Sequence, residues 1–380
     1  MPQKPDSGLG IVVVIPCLRE PAVLNTLRSL ERCILPEMAV EVLVLINHSE
    51  VASEATQSFN QKTRTELDVW IGKNCKSKLS FFAIGPVELR KKWAGAGLAR
   101  KKGMDEALLR FNAIGKNDGI IVSLDADTLV EPNYLVEIEN HFRNNPKEVG
   151  ATISFSHQTE NLESKQLQGI ELYEKYLGYY KRALDYAGYP FSMFTVGSAF
   201  AVTAQAYVKR GGMNRRQAGE DFYFLQNLVQ IGRVGEILTT TVQPSARLSD
   251  RVPFGTGPIL QKWLAGEEDL TSTYNFDAFS DLKAFFDRVA DLYLIDESGY
   301  QKIISELPKS VAAFLTEDVF DEDLAELNAN CASVGMFQKR FFQKFNAFRI
   351  LKFLNFAHAG FYEKANLEEQ CEKLDAETNH

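Results

Sequence analysis

Two aspartates that follow an apolar segment carry the clearest chemical signal in the sequence. Residues 119–124 read Gly-Ile-Ile-Val-Ser-Leu, which is typical of a buried strand, and Asp125 and Asp127 come directly after it. Open α/β sheets bind their ligands beyond the carboxyl ends of the strands. Two carboxylates there would repel each other and a phosphate, unless Mg²⁺ or Mn²⁺ bridges them to a diphosphate. The alternative is that the aspartates only shape a turn.

A second pair of acids, Glu220 and Asp221, stands at the start of a predicted helix over residues 221–231. In the structural interpretation, these acids only stabilise the first turn through the helix dipole. In the functional one, a carboxylate that is ionised at neutral pH accepts a proton from a hydroxyl. Asp221 lies far beyond Asp127 in the sequence, so only the fold can bring the two together.

The first two predicted strands also end in polar residues. Pro16 follows the strand at 11–15 and forces a sharp exit, so the chain as far as Glu20 could wrap a ligand or form only a turn. Asn47 follows the strand at 40–46, and it could hydrogen-bond a nucleobase or cap the next helix.

Small and basic residues open the helix predicted over residues 97–111. The small residues permit close approach by a ligand, and the exposed amides of a helix start favour anions. Arg100 lies on the first turn beside Lys101 and Lys102, where it could attract a diphosphate. A solvated basic face is the alternative.

Two further arginines follow the last predicted strand. Arg247 and Arg251 could close over a diphosphate, and the Gly-Thr-Gly sequence at 255–257 could form a flexible lid. The alternative is a surface loop that carries two arginines.

Composition limits the function classes. A length of 380 residues suggests two or three domains, and a net charge of −8 without a basic stripe in the first 300 residues argues against a nucleic-acid partner. The five cysteines are scattered and odd in number, which favours reduced thiols in a cytoplasmic protein. No apolar segment near the N-terminus is long enough for a signal peptide or a bilayer span, so a soluble protein is expected.

The elements that must position these residues alternate between strands and helices. This alternation predicts an α/β fold, a mostly parallel sheet flanked by helices, over residues 1–266, and a helical C-terminal region over 267–380. The predicted strands are residues 11–15, 40–46, 79–83, 119–124, 150–155, 194–202 and 234–238. The predicted helices are residues 21–33, 53–70, 97–111, 132–144, 162–186 and 221–231.

Residues 337–354 combine phenylalanines at helical spacing with five basic residues and no acid. Such a helix could lie at a membrane surface, which would suit a lipid-linked substrate and a peripheral membrane location. The alternative is that the phenylalanines pack the helical region onto the α/β domain and the lysines are merely solvated.

Taken in order, these segments resemble the inverting, family-2-like GT-A glycosyltransferases over residues 9–260. The motifs that carry the resemblance are Ile-Pro-Cys-x-x-Glu, Gly-x-Ala-Arg-x-x-Gly, Asp-x-Asp, a Gly-Ser strand and Gly-Glu-Asp, at 15–20, 97–103, 125–127, 197–198 and 219–221. The resemblance implies a Rossmann-like GT-A domain at 1–266, a nucleotide-diphospho-sugar donor, and Mn²⁺ or Mg²⁺ on the Asp-x-Asp motif.

The resemblance also implies roles for individual residues. Asp221 would be the general base and Glu220 would orient the acceptor or the loop, while Asp127 would hold the cation and Asp125 would share it or contact the ribose. The remaining donor contacts would come from Pro16, Glu20, Asn47, Arg100, Arg247 and Arg251. The acceptor could be a carbohydrate, a small molecule or a lipid-linked sugar.

The sequence departs from the family pattern at three points. Ile46 and Asn47 stand where the second strand usually ends in Asp-Asp, which puts the usual uracil contact in doubt, and Lys101 replaces a frequent Asn. The Gln/Arg-x-x-Arg-Trp motif of processive synthases is absent. Three alternatives stay open: a retaining GT-A enzyme, a sugar-phosphate nucleotidyltransferase, and a non-catalytic protein of the same fold that binds sugar nucleotides.

Overall fold

A computed structural model describes residues 3–74, 76–217, 219–249 and 255–378. The chain forms two compact units. The first unit contains Met1–Leu167 and Thr195–Lys262, and the second contains Gln168–Phe194 and Trp263–His380. The second unit therefore takes in a segment from the middle of the sequence, in addition to the C-terminal region.

The first unit is built on one sheet of eight strands. They are β1 (Leu9–Cys17), β2 (Ala39–Ser49), β3 (Leu79–Leu89), β4 (Ile120–Ser123), β5 (Leu129–Val130), β6 (Gly150–Phe155), β7 (Phe200–Thr203) and β8 (Val234–Gln243). Their order is β3-β2-β1-β4-β7-β6-β8-β5. β7 and β5 run antiparallel to their neighbours and the other six strands share one direction. The predicted α/β fold with a mostly parallel sheet is confirmed.

The centre of this sheet is apolar because it is covered on both faces. β1 is buried along nearly its whole length, and Val13 pairs in register with Val42 of β2 and Val122 of β4. A strand that packs helices on both sides needs apolar residues at consecutive positions, which explains the uninterrupted run in β1.

Some helices belong to the first unit alone, and two contain residues of both units. The first unit contains α1 (Val23–Glu31), α2 (Glu54–Ile71), a 3₁₀ turn (Lys91–Trp93), α3 (Ala96–Ala113), α4 (Tyr134–Asn144), α6 (Ala204–Lys209) and α7 (Glu220–Leu228). Two further helices, α5 (Ser164–Tyr186) and α8 (Thr256–Ala265), contain residues of both units.

The second unit is helical, as predicted for the C-terminal region. Its helices are α9 (Phe276–Phe286), a 3₁₀ turn (Val289–Leu292), α10 (Glu297–Glu306), α11 (Lys309–Glu317), α12 (Phe320–Asn330), α13 (Val334–Lys344), α14 (Ala347–Gly360) and α15 (Leu367–Thr378). A small antiparallel pair, β9 (Ser272–Thr273) and β10 (Ala365–Asn366), joins them.

Several local predictions need correction. The strand predicted at 194–202 shortens to β7, because Gly197 and Ser198 lie in a turn before it. Asn47 does not cap α2, whose N-cap is Ser53. The proposed lid at 255–257 is instead the start of a helix, since α8 begins at Thr256.

The aromatic segment at 337–354 is also not one helix. Asn346 interrupts it and caps α14, where its side chain accepts hydrogen bonds from two backbone amides. Phe337, Phe341 and Phe345 are fully buried in the second unit, and the rings of Phe341 and Phe345 stack 5.7 Å apart. These rings form the core of the second unit itself and are not available to a membrane surface.

Three of the five basic residues of this segment, Lys344, Arg349 and Lys352, form ion pairs with acids. Lys344 binds Asp323 at 2.9 Å, and Arg349 binds Asp323 at 2.6 Å and also contacts Asp318. Lys352 reaches Asp318 at 2.8 Å. Membrane contact through 337–354 stays a prediction, and its buried rings and three of its basic residues are engaged within the second unit.

Two findings concern the chain as a whole. Among the described residues, no helix combines the length and the apolar character needed to cross a bilayer. The cysteines Cys17, Cys33, Cys331 and Cys371 are buried and are not in disulfides, while Cys75 lies outside the described residues.

Candidate functional site

The carboxyl edge of the sheet brings most of the predicted site residues together. β1 and β4 are parallel neighbours, so Cys17 and Ser123 end at the same edge. β7 runs the opposite way and pairs Phe200 with Ser123, which places the turn at Gly197 beside the end of β4. This arrangement is the usual ligand-binding edge of an open α/β sheet.

Arg100, in the second turn of α3, is the buried centre of this edge. Its Nε donates to Glu220 Oε1 at 3.2 Å and its Nη2 donates to Asp125 Oδ1 at 2.9 Å. Its Nη1 donates to the Ser123 hydroxyl and to the Gly197 carbonyl at 3.0 Å. Every nitrogen of the guanidinium group is engaged within the protein.

The charges around Arg100 keep it protonated despite burial. Burial alone would lower the pKa of Arg100, but the negative charges of Asp125, Glu220 and Asp221 outweigh burial and raise the pKa. The predicted direct contact of Arg100 with a diphosphate needs correction, because the side chain is buried and saturated with internal acceptors. Its position instead links Asp125 to the start of α7.

The glycines of the site make room for side chains of the protein itself. A Cβ on Gly197 would lie 2.8 Å from Arg100 Nη2 and 3.1 Å from Asp221 Oδ2. A Cβ on Gly97 would lie 2.2 Å from the carbonyl oxygen of Arg216 and 2.9 Å from Glu220 Cβ. The small residues that open α3 thus allow the segment before α7 to pack closely, and they do not leave a space for a ligand.

The Asp-x-Asp loop is held at three points of its backbone. The Thr128 amide donates to the Asp125 carbonyl at 3.2 Å, which closes a turn. The Thr26 hydroxyl donates to the Ala126 carbonyl at 2.9 Å, and Gln158 Nε2 donates to the Asp127 carbonyl at 2.9 Å. These anchors fix the two carboxylates relative to the sheet.

Both aspartates keep part of their side chain exposed. The Asp125 side chain is 39% exposed although its Oδ1 binds Arg100, and the Asp127 side chain is 22% exposed. Their carboxylate oxygens are the hard ligands that Mg²⁺ and Mn²⁺ prefer. Within the described residues, no group of three or more His, Cys, Asp or Glu side chains is arranged to hold a metal ion. A cation here would complete its coordination with donor phosphates and water, which is how Mg²⁺ is commonly held.

Arg247 and Glu20 form an ion pair at the same edge. Arg247 Nη2 lies 2.6 Å from Glu20 Oε2, and Nη1 lies 3.2 Å from Oε1, so the pair is bidentate. Glu20 is buried, whereas the Arg247 side chain is 37% exposed, and its Nη2 lies 3.6 Å from Asp127 Oδ2. Glu20 therefore positions Arg247 beside Asp127. Arg251, the second predicted arginine, lies outside the described residues.

Asp221 lies near Arg100, and the pKa of its carboxyl group is raised. Burial raises the pKa of Asp221 to about 7 and the Glu220 charge adds to the rise, while Arg100 and the hydrogen bond from the Phe222 amide oppose it. The expectation of a fully ionised carboxylate at neutral pH is corrected to a group that titrates there. A pKa near the working pH suits a proton acceptor.

Glu220 and Asn47 are engaged within the protein. Glu220 is buried and its carboxylate accepts from Arg100, so the structure does not place it as a contact for an acceptor. Asn47 is buried and its Nδ2 donates to the carbonyls of Cys17 at 3.1 Å and Leu45 at 3.3 Å. That amide joins the ends of β1 and β2, so it is not free to bind a nucleobase as predicted. Pro16 is half-buried on β1.

Two residues of the site were not singled out from the sequence. Ser123 accepts from Arg100 and donates to the Gly197 carbonyl at 2.6 Å, and Gln158 anchors Asp127. Ser123 was detectable in principle, since it is the polar last residue of the apolar β4, whereas Gln158 lies beyond the end of β6 and carries no such signal.

The chain matches no protein-family model and no curated protein. Among solved structures it is similar to S. aureus TarS 1-349 in complex with UDP-GlcNAc, with 11% identity, a TM-score of 0.42, and coverage of 89% of this chain and 91% of that chain. It is also similar to the mannosyltransferase PcManGT from Pyrobaculum calidifontis in complex with GDP-Man and Mn²⁺, with 12% identity, a TM-score of 0.38, and 90% coverage of both chains. At these scores and identities the matches do not assign the chain to a family.

Proposed function

We propose that the protein is a GT-A glycosyltransferase that moves a sugar, with inversion, from a nucleotide-diphospho-sugar to an acceptor hydroxyl. One observation carries the proposal. Asp221, whose pKa is about 7, directly follows Glu220, and the buried Arg100 binds both Glu220 and Asp125 of the Asp-x-Asp loop. A proton acceptor and a pair of hard oxygen ligands therefore share one sheet edge, as metal-assisted group transfer requires.

The charge balance of the edge supports binding of a divalent cation with the donor. Among the described residues, ion pairs and charges link Arg100 to Asp125, Glu220 and Asp221, and Arg247 to Glu20 and Asp127. Five carboxylates thus stand beside two arginines in this part of the chain. A diphosphate would be repelled by this excess of negative charge. Mn²⁺ or Mg²⁺, when bound, would screen that repulsion and stabilise the departing diphosphate.

Individual residues then have separate tasks on the donor side. Asp127 would hold the cation, and Asp125 would share it through the oxygen that does not bind Arg100. Arg247 is half-exposed and lies beside Asp127, so it could turn from Glu20 to a phosphate oxygen. We propose Glu20 as the residue that positions Arg247, and Pro16 as part of the nucleoside-binding wall.

The chemical step would be a single in-line displacement. The acceptor oxygen attacks the anomeric carbon from the side opposite the diphosphate, and its proton passes to the Asp221 carboxylate. The bond between the anomeric carbon and the phosphate oxygen breaks, and its electron pair leaves with the nucleoside diphosphate. One displacement inverts the configuration of the anomeric carbon.

The environment of His358 favours inversion over retention. Retaining GT-A enzymes commonly carry a histidine metal ligand well downstream of the Asp-x-Asp motif, and no histidine occurs between His157 and His358. In the second unit, His358 Nδ1 hydrogen-bonds to the Leu354 carbonyl at 2.7 Å, and its Nε2 accepts from the Asn275 amide at 2.8 Å. Both ring nitrogens are occupied, so this histidine is not free to bind a cation.

A panel of donors tests the proposal. The melting temperature should rise with one of the UDP-, GDP- or dTDP-sugars in the presence of Mn²⁺, and the rise should disappear with EDTA. Asp127→Asn should abolish the Mn²⁺-dependent rise. The matched control is Asp118→Asn, at an exposed carboxylate before β4, which should leave the rise unchanged. Equal stabilisation with and without EDTA would contradict the role given to the cation.

A further inference from the structure

Four exposed cations lie together beside the proposed base, and we call them the basic rim: Lys91, Lys92, Arg215 and Arg216. The lysines belong to the 3₁₀ turn before α3, and the arginines belong to the loop before α7. Gln217 Nε2 donates to the Lys91 carbonyl at 3.4 Å and to the Lys92 carbonyl at 3.5 Å. The two segments are therefore neighbours on the surface.

Aromatic rings hold the charged groups of the basic rim. The guanidinium carbon of Arg216 lies 3.4 Å from the centroid of the Tyr223 ring. The guanidinium carbon of Arg215 lies 5.5 Å from the Trp93 ring, and Lys92 Nζ lies 5.2 Å from the same ring. A guanidinium group stacked on a ring keeps its N–H groups free at the edge, so it is positioned in advance for a ligand.

The basic rim is not neutralised by the protein. Within the described part of the chain, none of its four side chains forms an ion pair with a carboxylate, whereas neighbouring Lys101 pairs with Asp105. The Glu50 carboxylate accepts from the Lys91 backbone amide at 2.9 Å rather than from a rim side chain. In a chain with a net charge of −8, four adjacent unpaired cations indicate a surface for an anion.

The arginine segment is tied to the residues that carry the proposed base. Asn214 Nδ2 donates to the Glu220 carbonyl at 2.8 Å, and the Arg216 amide donates to Asn214 Oδ1 at 3.0 Å. Tyr223, which stacks on Arg216, lies in the first turns of α7 just after Asp221. The basic rim thus borders the place where an acceptor hydroxyl would meet Asp221.

We propose that the basic rim binds the phosphate groups of a soluble, phosphate-bearing acceptor and so presents its hydroxyl to Asp221. The inference rests on the proposed glycosyl transfer and adds the chemical class of the acceptor to it. Phosphate matches the rim because a guanidinium group can bind two of its oxygens at once and a lysine adds a mobile charge. A neutral oligosaccharide would leave four cations without a partner.

A binding experiment with short-chain linear polyphosphate as the probe tests this inference. Lys91→Gln/Lys92→Gln and Arg215→Gln/Arg216→Gln should each weaken polyphosphate binding about tenfold at low salt. Lys73→Gln/Lys147→Gln, which removes two exposed and unpaired lysines elsewhere on the first unit, should change binding less than about twofold. The full chain is used, and melting curves confirm that each variant folds.

Several outcomes would overturn the inference. They are a wild-type protein that does not bind polyphosphate, rim variants that bind as wild type does, or a control variant that loses as much as the rim variants. Vesicles of phosphatidylglycerol and phosphatidylcholine separate the sources of phosphate. Sedimentation with these vesicles that depends on the basic rim, without polyphosphate binding, would replace the soluble acceptor by a membrane surface.

The donor experiment is independent of this one. If no nucleotide-diphospho-sugar stabilises the wild-type protein in the presence of Mn²⁺, the proposed function fails, whether or not polyphosphate binds. If a donor binds but the rim variants bind polyphosphate as wild type does, the proposed function stands and only the proposal of a phosphate-bearing acceptor is wrong.

Discussion

A carboxyl group that titrates near neutral pH is the residue on which the proposed chemistry depends. Asp221 owes its pKa of about 7 to burial and to Glu220, and Arg100 limits the rise. An aspartate with an ordinary pKa would be ionised but weakly basic. The raised pKa makes Asp221 a better proton acceptor, and it means that the base is only partly ionised at pH 7.

Asp221→Asn should therefore remove the proton acceptor and leave the donor site intact. We expect turnover to fall by about 10²–10⁴ while the Mn²⁺-dependent stabilisation by donor remains. Release of nucleoside diphosphate gives the rate, and the melting temperature gives donor binding. Equal losses in both measurements would instead make Asp221 a donor ligand or a structural residue. Asp118→Asn serves as the control.

The pH dependence of stability should report the same carboxyl group. The pKa of Asp221 is higher in the folded protein than in the unfolded chain, so the unfolded chain loses this proton first. The resulting stability is present below about pH 4 and is lost progressively as the pH rises to about 7. Asparagine has no carboxyl proton to lose, so the Asp221→Asn variant should not lose this stability as the pH rises.

Melting temperatures at two pH values check this expectation. The Asp221→Asn variant should gain about 2 °C or more over wild type at pH 8, and less at pH 5. In wild type, kcat/KM should rise through about pH 7 as the base ionises. A gain that is the same at both pH values would show that Asp221 has an ordinary pKa.

Turns and helix starts, rather than strands, make the contacts of the site. The sheet supplies a rigid edge, but Arg100 comes from α3, Glu220 and Asp221 from α7, and Gly197 from the turn before β7. The absence of a side chain at Gly197 lets α3 and α7 approach this turn.

Gly197→Ala should disturb the close approach of Arg100 in α3 and Asp221 in α7 to the turn at Gly197. The added methyl group would lie within 3.1 Å of Arg100 Nη2 and Asp221 Oδ2, so one or both groups must move. We expect a loss of turnover of about 10²-fold, because small displacements of a catalytic group are costly. Release of nucleoside diphosphate measures it.

Gly178→Ala, in α5, is the matched control. Nothing lies within 4 Å of its added methyl group, and alanine favours a helix over glycine by about 0.5–1 kcal/mol. Its turnover should match wild type. A Gly197→Ala variant with the same turnover would show that the close approach has no catalytic role.

The whole molecule consists of two units with cores of different character. The first is organised by β1 and its aliphatic neighbours, and the second by phenylalanines from several helices. Phe285, Phe320 and Phe341 each contact the ring of Phe345, with centroid distances of 5.4, 5.9 and 5.7 Å. Aromatic clusters of this kind contribute strongly to core stability.

Phe345→Ala should destabilise the second unit by about 3–5 kcal/mol, because it leaves a cavity among these rings. Phe361→Ala is the control, since that side chain is 43% exposed and its loss should cost little. Calorimetric unfolding distinguishes the two variants. Membrane insertion of Phe345 predicts the reverse, namely little loss of stability and weaker binding to anionic vesicles.

The sequence by itself determined the elements and the sheet edge at which the acids meet. A short, uninterrupted apolar run is typical of a strand that is covered on both faces, and polar residues after parallel strands of this kind lie at one edge of the sheet. For this reason the α/β fold, the helical C-terminal region, and the place of Asp125 and Asp127 after a buried strand were predictable from local pattern, whereas only the fold brings Asp221 to this edge.

Only the tertiary structure decided what each polar side chain does. From the sequence, Arg100 and Asn47 were expected to contact a ligand. In the structure both are buried, and their N–H groups donate hydrogen bonds to other groups of the protein. The pKa of Asp221 depends on burial and on the charges of Glu220 and Arg100, which come together from distant segments. The partners and the burial of a side chain depend on contacts between segments that are far apart in the chain. Residue type and spacing within one segment therefore do not predict them.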